Sequence, residues 1–481
     1  MSVAVADVKY TKSRVVSDLS SNGGRKSNNT VISGARHALF PRVTKTERIT
    51  GVTRYRKQFW CNENADDDIA YGSLQWFETI SNAGDRFYLK EGTQTDVQSG
   101  LTTPATGQVP LWTGTGSLNT LLAGGETTVL LDMESNDFSF VTGTYFHIAN
   151  KVRTSQTIGS TVVIGDSVEF ITATWEKITA NSSITFPYGV YLGDSKVITL
   201  ETTTKEEWIE IEDRVTTAES IGTGNAATNP TLSTLTNATM GIHQAAGYLP
   251  VISSLDSGDA VITLYLYPNG TVDTTQGNGV SGEMDMADGT WTTTPVWDTA
   301  PKTAADITCT YRENPFSFAA NVATVYLETA LSNAYAVANT FGGGCVYEDE
   351  VASTTDSWVE TSASGTYDET TYPVVPHNDG AEEDTITLTF TAPTTFSAAG
   401  TNLGSLGTGF LISADLAPTN PETGVVLFTL DKDGWGGSWL SGDTVVFSLH
   451  PAAKAIWLKE VVPASTAQES NNLLVLGWYS E

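Results

Sequence analysis

The chain is sparing with cysteine, histidine and methionine: three, five and five in 481 residues. Cys61, Cys309 and Cys345 are far apart and odd in number, which argues against a disulfide framework and against metal-type cysteine spacing. They read as buried free thiols in a reducing compartment. His37, His147, His243, His377 and His450 are scattered, and none lies in a paired-histidine motif with an intervening Glu. Also missing are a nucleophile elbow around Ser, a phosphate loop ending in Lys-Ser or Lys-Thr, and a dinucleotide fingerprint. No apolar run approaches the ~20 residues of a membrane span. The first residues, MSVAVADVKYTKSR, hold no apolar core of a secretory signal. A soluble protein made in the cytoplasm is expected.

Leu/Glu/Lys-rich helical stretches are lacking as well. What is present is 43 Gly, 17 Tyr, 17 Phe and 12 Trp with many Thr, Ser, Asn and Asp. Aromatic and β-branched residues suit a pleated surface, and Gly, Asn and Asp make corners. An all-β fold is expected. The net charge of −30 is unevenly spread. Residues 1–60 hold 12 Lys/Arg against 3 Asp/Glu, whereas residues 61–481 hold 13 against 52. A body this acidic repels DNA, RNA and anionic membranes, so a free nucleic-acid binder is not expected.

Residues 1–50 read as a basic, extended arm with little core of its own. In VTRYRKQFWC (52–61) the period of two sets Tyr55, Lys57, Phe59 and Cys61 on one face, and Arg54, Arg56, Gln58 and Trp60 on the other. NENADDD (62–68) is turn chemistry, and IAYGSLQWFETI (69–80) returns as a second strand, which predicts a hairpin. Further strands are expected at 127–133, 139–148, 160–175, 188–201 and 206–212. The reading is two or three β-sandwich-like domains behind the arm: 51–215, then 216–380 with a possible insertion, then 381–481. Residues 318–341 could be helical, but their Thr, Val, Tyr and Asn content favours strands. Gly-Asp precedes alternating residues at 165–170, 258–263 and 442–447, good corners whether or not they mark duplicated modules.

No catalytic, cofactor or metal residues can be nominated. The acidic residues are too many to single out the two carboxylates of a glycosidase. FGGGCV (341–346) lacks the basic residue of a phosphate site and reads as a turn. Three acidic loops, 63–68, 377–384 and 431–437, resemble calcium loops but lack a full oxygen set. Trp435, Trp439 and Trp457 could form a sugar-stacking platform; filling a small sandwich core is the competing role. The stretch 434–465 is expected to close a C-terminal sandwich as a hairpin. Val445, Phe447 and Leu449 would face inward, and Trp457 would plug the core from the returning strand.

GVTRYRKQFWCNENADDDIAYGSLQWFET, EGTQTDVQ (91–98) and GWGGSWLSGDTVVFSLHPAAKAIWLKEVVPAS (434–465) resemble virion structural proteins of tailed bacteriophages. The resemblance implies a non-enzymatic structural component of the particle, of tail or baseplate type, forming a symmetric oligomer with itself and other virion proteins. A host-glycan-binding or depolymerase tail protein is one rival reading, and a capsid-decoration or neck protein is another. A basic arm beside an acidic body suits contact between subunits. The residues expected to make it are Arg25, Lys26, Arg36, Arg42, Lys45, Arg48, Arg54, Arg56 and Lys57.

Overall fold

The computed structural model describes residues 3–33, 37–79, 81, 83–102, 112–133, 140–158, 163–164, 184–185, 196–244, 248–468 and 474–480. Within them the protein is all-β, with antiparallel sheets and two short α-helices, Lys45–Thr50 and Gln98–Thr102. Glu47 closes a capping box with Thr44 at the start of the first helix.

One large sheet organises the chain. From edge to edge it runs Lys196–Glu210, Tyr145–Ile158, Thr340–Gly344, Thr113–Leu118, Arg86–Glu91, Ala453–Val462, Val52–Asn62, Val8–Val15 and Gly23–Thr30. A branch of Thr128–Asp132, Val322–Tyr326 and Phe316–Ala319 leaves it at Thr113–Leu118. A second, smaller sheet of Val346–Val351, Ala70–Thr79 and Val475–Tyr479 lies against it. Trp60, Phe77, Leu89, Val346, Ile456 and Leu458 fill the space between. A further core gathers Trp112, Phe140, Phe146, Ile148, Val325 and Trp457.

Two β units are inserted into this body, each with its own core. The first has the sheet Val215–Thr223, Asp306–Arg312, Val251–Leu255, Val261–Leu266 and Val272–Gly277 beside the hairpin Gly279–Asp285 and Thr290–Trp297. Its core joins Ile252, Leu264, Met284, Trp297 and Tyr311. The second has the sheet Thr354–Thr361, Thr444–His450, Asp384–Ala392, Thr395–Gly400 and Gly404–Leu411, covered by two short ribbons. Phe390, Phe396, Phe428, Trp439 and Phe447 fill it.

The sheets therefore divide the chain differently from three consecutive spans. Residues 316–351 and 453–462 belong to the body, and the last inserted unit begins near 354. Residues 1–50 are likewise no free arm, because Val8–Val15 pairs with Val52–Asn62 from Val8 opposite Asn62 to Lys12 opposite Gln58. The hairpin expected across NENADDD does not form. Both edges of Val52–Asn62 are taken by distant chain, the second by Ala453–Val462 with Cys61 opposite Ala453. Ala70–Thr79 is sent into the smaller sheet instead. In 444–450, Val445, Phe447 and Leu449 are buried while Val446, Ser448 and His450 are half-buried, matching the period of two. The return at 453–462 departs, however. It leaves the inserted unit for the large sheet, so Trp457 sits in another core.

Residues 318–341 carry strand at both ends, with turns between Tyr326 and Thr340. Of the expected strands 160–175 and 188–201, only 163–164 and 196–201 fall within the described residues. The Gly-Asp copy at 165–170 lies outside them. The copy at 442–443 makes its corner with Gly442 at φ 98°, a left-handed conformation that costs glycine little. All three thiols are buried and free.

Candidate functional site

The alternation of Val52–Asn62 puts its cations on both faces of a central strand, where each meets chain brought from far away. Arg54 lies directly opposite Glu460. Its guanidinium donates to the Glu460 carboxylate at 3.2 Å and to Glu47 of the first helix. Burial drives the Glu460 carboxyl up to about 7, against the pull of Arg54. Arg56 pairs with Asp18 at 2.7 Å and donates to the carbonyls of Ser17 and Leu39, with Phe40 under its guanidinium. Lys57 has a fully buried side chain. It pairs with Asp96 at 2.6 Å and donates to the carbonyl oxygens of Gly24, Gln94 and Asp96. Burial lowers its pKa. Asp96 also accepts from Trp457 Nε1 at 2.7 Å.

These three cations are internal ties and present no surface to a partner, contrary to the expected contact role. Nine-tenths or more of each is shielded, and a buried cation persists only when carboxylates and carbonyls satisfy it. Lys26 is buried too, 3.7 Å from Glu382. Arg25 is half-buried and donates to the Glu383 carbonyl, and Arg48 reaches the carbonyl of Thr466. Arg42 and Lys45 are exposed. Arg36 lies outside the described residues.

The acidic loop after the strand is also more than an exposed turn. Asn62 is fully buried and donates through Nδ2 to the carbonyls of Asp68 and Val351. Asn64 Oδ1 accepts from the amides of Asp66 and Asp68, which closes the loop. Asp67 accepts from the Asn378 amide and meets His377 Nδ1, both at 2.7 Å. His377 Nε2 lies 2.9 Å from Thr429 Oγ1. Two of the three calcium-like loops, 63–68 and 377–384, thus meet. Among the described residues no group of three His, Cys, Asp or Glu is disposed to hold a metal. In the third loop Asp431 caps the amide of Asp433.

The three tryptophans do not form one platform. Trp439 is buried and stacks on Phe390 with ring centres 4.3 Å apart and planes 5° apart. Trp435 packs edge-on against Trp439 in the same core, and Trp457 belongs to the other.

The N-terminal hairpin does keep an open face. A shallow groove of about 580 Å³ runs along it, lined by Lys12, Arg14, Val16, Asn28, Thr30 and Ile32. Val16 and Ile32 in its lining are exposed, as are Val15, Leu19 and Ile49 elsewhere on the N-terminal segment. The sequence reading picked the basic residues and missed these apolar ones. Short apolar pairs in a Gly/Ser/Asn-rich stretch carry no signal of which side will face outward.

No protein-family model matches the chain, and no curated protein matches it. Among solved structures it has faint likenesses to the infectious bursal disease virus VP2 subviral particle and to a mutant VP2 of that virus in T=1 particles. Both are 7% identical and cover 88% of this chain and 84% and 81% of theirs, with TM-scores of 0.08 and 0.07. Likeness at that level carries no argument about fold or function.

Proposed function

We propose that this chain is a non-enzymatic structural component of a tailed-bacteriophage particle, of tail or baseplate type, and that it assembles as a symmetric oligomer through its N-terminal segment. The observation that carries the reading is the exposed face of the N-terminal hairpin, where the exposed Val16 and Ile32 line a groove together with Lys12 and Arg14. Apolar side chains rimmed by charge on a rigid sheet edge are the composition of a protein contact. Two strands within the stretches that carry the resemblance, Val52–Asn62 and Ala453–Val462, pair at the centre of the large sheet. A body tied at its middle by distant chain suits a part that bears load.

Deleting residues 1–50 is a poor test, because it strips Val8–Val15 from the sheet and removes Asp18, Ser17 and Leu39 from Arg56 and the Gly24 carbonyl from Lys57. Charged substitutions on the exposed face leave those ties intact. Particles produced with Val16→Asp/Ile32→Asp in place of the natural chain should contain far fewer copies of it, while the purified variant melts like the parent. Normal occupancy would remove the hairpin as the contact.

A further inference from the structure

The second inserted unit leaves the body at Val351 and returns at Ala453, and the two crossings lie side by side. One residue, Asn62, holds both, through Nδ2 to the Val351 carbonyl at 3.0 Å and through its amide to the Ala452 carbonyl at 2.9 Å. Residues 354–450 have their own sheet and a core drawn wholly from their own span. They carry 13 Asp/Glu and a single lysine, Lys432. They rest on the basic N-terminal hairpin and, near the crossings, on the loop 62–68, where Asp67 holds His377 and the Asn378 amide and the Asp68 carbonyl accepts from Asn378 Nδ2.

Each named tie between hairpin and unit is polar. Arg14 pairs with Glu422 at 2.6 Å, and Asn28 donates to the other oxygen of that carboxylate at 3.0 Å. Arg25 donates to the Glu383 carbonyl at 3.2 Å, and Lys26 faces Glu382 at 3.7 Å. Glu382 is buried with its second carboxylate oxygen unpartnered, and burial raises its pKa. Among the described residues no core and no sheet is shared between the two parts. Hydrogen bonds and ion pairs of this kind are indifferent to whether their halves belong to one chain or two. Short connectors at 352–353 and 451–452 are positions where a rigid unit can turn.

We infer that residues 354–450 form an exchangeable acidic domain. It docks on the basic hairpin of its own chain in isolation and on the hairpin of a second copy when copies are crowded together. The intramolecular contact has an effective concentration in the millimolar range for a short tether, so exchange belongs to concentrated or assembled protein. The charge division of the sequence, basic at one end and acidic beyond, is the signature of this contact. The inference rests on the assembly reading for its setting. It is tested on purified chain alone, so it can fail while that reading stands, and the reverse.

Asn28 and Glu422 are exposed positions that face each other, and the natural thiols are buried. One chain carrying Asn28→Cys is mixed with another carrying Glu422→Cys and treated with a short bismaleimide. Any link between positions 28 and 422 is then intermolecular. The expected result is such a link, read by peptide mass spectrometry, rising with protein concentration and falling in high salt. Its yield should be several-fold above a collisional control in which Gln276→Cys replaces Asn28→Cys. A single chain carrying both substitutions reports the closed form. If that double variant links within itself while the mixture gives only the control level at every concentration, the domain does not exchange. If the double variant also fails to link internally, the docked geometry itself is wrong and the inference falls with it.

Discussion

Removing the carboxylate of Asp96 probes a cation, Lys57, whose side chain is fully buried. Lys57 has no exposed side-chain surface, whereas a quarter of Asp96 reaches solvent. The pair is therefore asymmetric. In Asp96→Ala the ammonium stays buried with only the three carbonyls for company, and breaking a buried pair from one side costs about 3–5 kcal/mol. The carbonyls keep the figure near the lower end. Trp457 Nε1 also loses its acceptor, adding about 1 kcal/mol for a buried unpaired donor, for a total of about 4 kcal/mol. Asp96→Asn keeps an oxygen for Trp457 and loses only the charge, so about 2–3 kcal/mol is expected. Lys57→Met removes the ammonium and leaves a carboxylate that water and Trp457 Nε1 still satisfy, at a cost below about 1.5 kcal/mol. Because the chain has several separate cores, a global melt need not be two-state. Amide hydrogen exchange along Val52–Asn62, where the strand pairs with Ala453–Val462, reads the local opening free energy. Equal costs for Asp96→Ala and Lys57→Met, or a cost under about 1 kcal/mol for the first, would refute the buried-pair reasoning.

Glu460 makes the body's stability depend on pH. Its folded-state pKa, about 7, lies above its ordinary 4.5 because burial disfavours the charge. Its contribution is therefore complete below about pH 4.5 and is lost as pH rises through about 7, by up to roughly 3 kcal/mol. Glu460→Gln should flatten that segment of the stability–pH curve; a parallel curve would show that Glu460 is ionised throughout. In the 354–450 unit, Phe447→Ala should cost about 3–5 kcal/mol as a buried ring packed on Trp358 and Phe428. His450→Ala gives up partly exposed pairs with Glu383 and Asp356 and should cost less than about 1 kcal/mol in urea titrations followed by tryptophan fluorescence. Similar small values at both positions would reverse the assigned faces.

The period of two was enough to read the class and the faces of individual strands. It separated Phe447 from His450, and Lys57 and Phe59 from Arg56 and Trp60. It could not say which strand lies beside which. Val52–Asn62 sits between strands from opposite ends of the chain, and nothing in RYRKQFW announces AKAIWLKEVV as its neighbour some 400 residues later. For the same reason Arg54, Arg56 and Lys57 read as a contact surface. Charge in a strand looks exposed until Glu460, Asp18 and Asp96 are folded against it. The division of charge was legible, and its meaning shifted. Much of the acid that answers the basic N-terminus is this chain's own, in Glu382 and Glu422. His377 and Asp67 lie 310 residues apart, and only the fold joins them.

The central claim is a place in a particle, and high-resolution imaging of intact virions tests it most directly. The account predicts repeated copies of this β-body, with the groove of Arg14, Val16 and Ile32 covered by a neighbouring subunit. Particles that lack the chain, or copies whose hairpin faces open solvent, would contradict it.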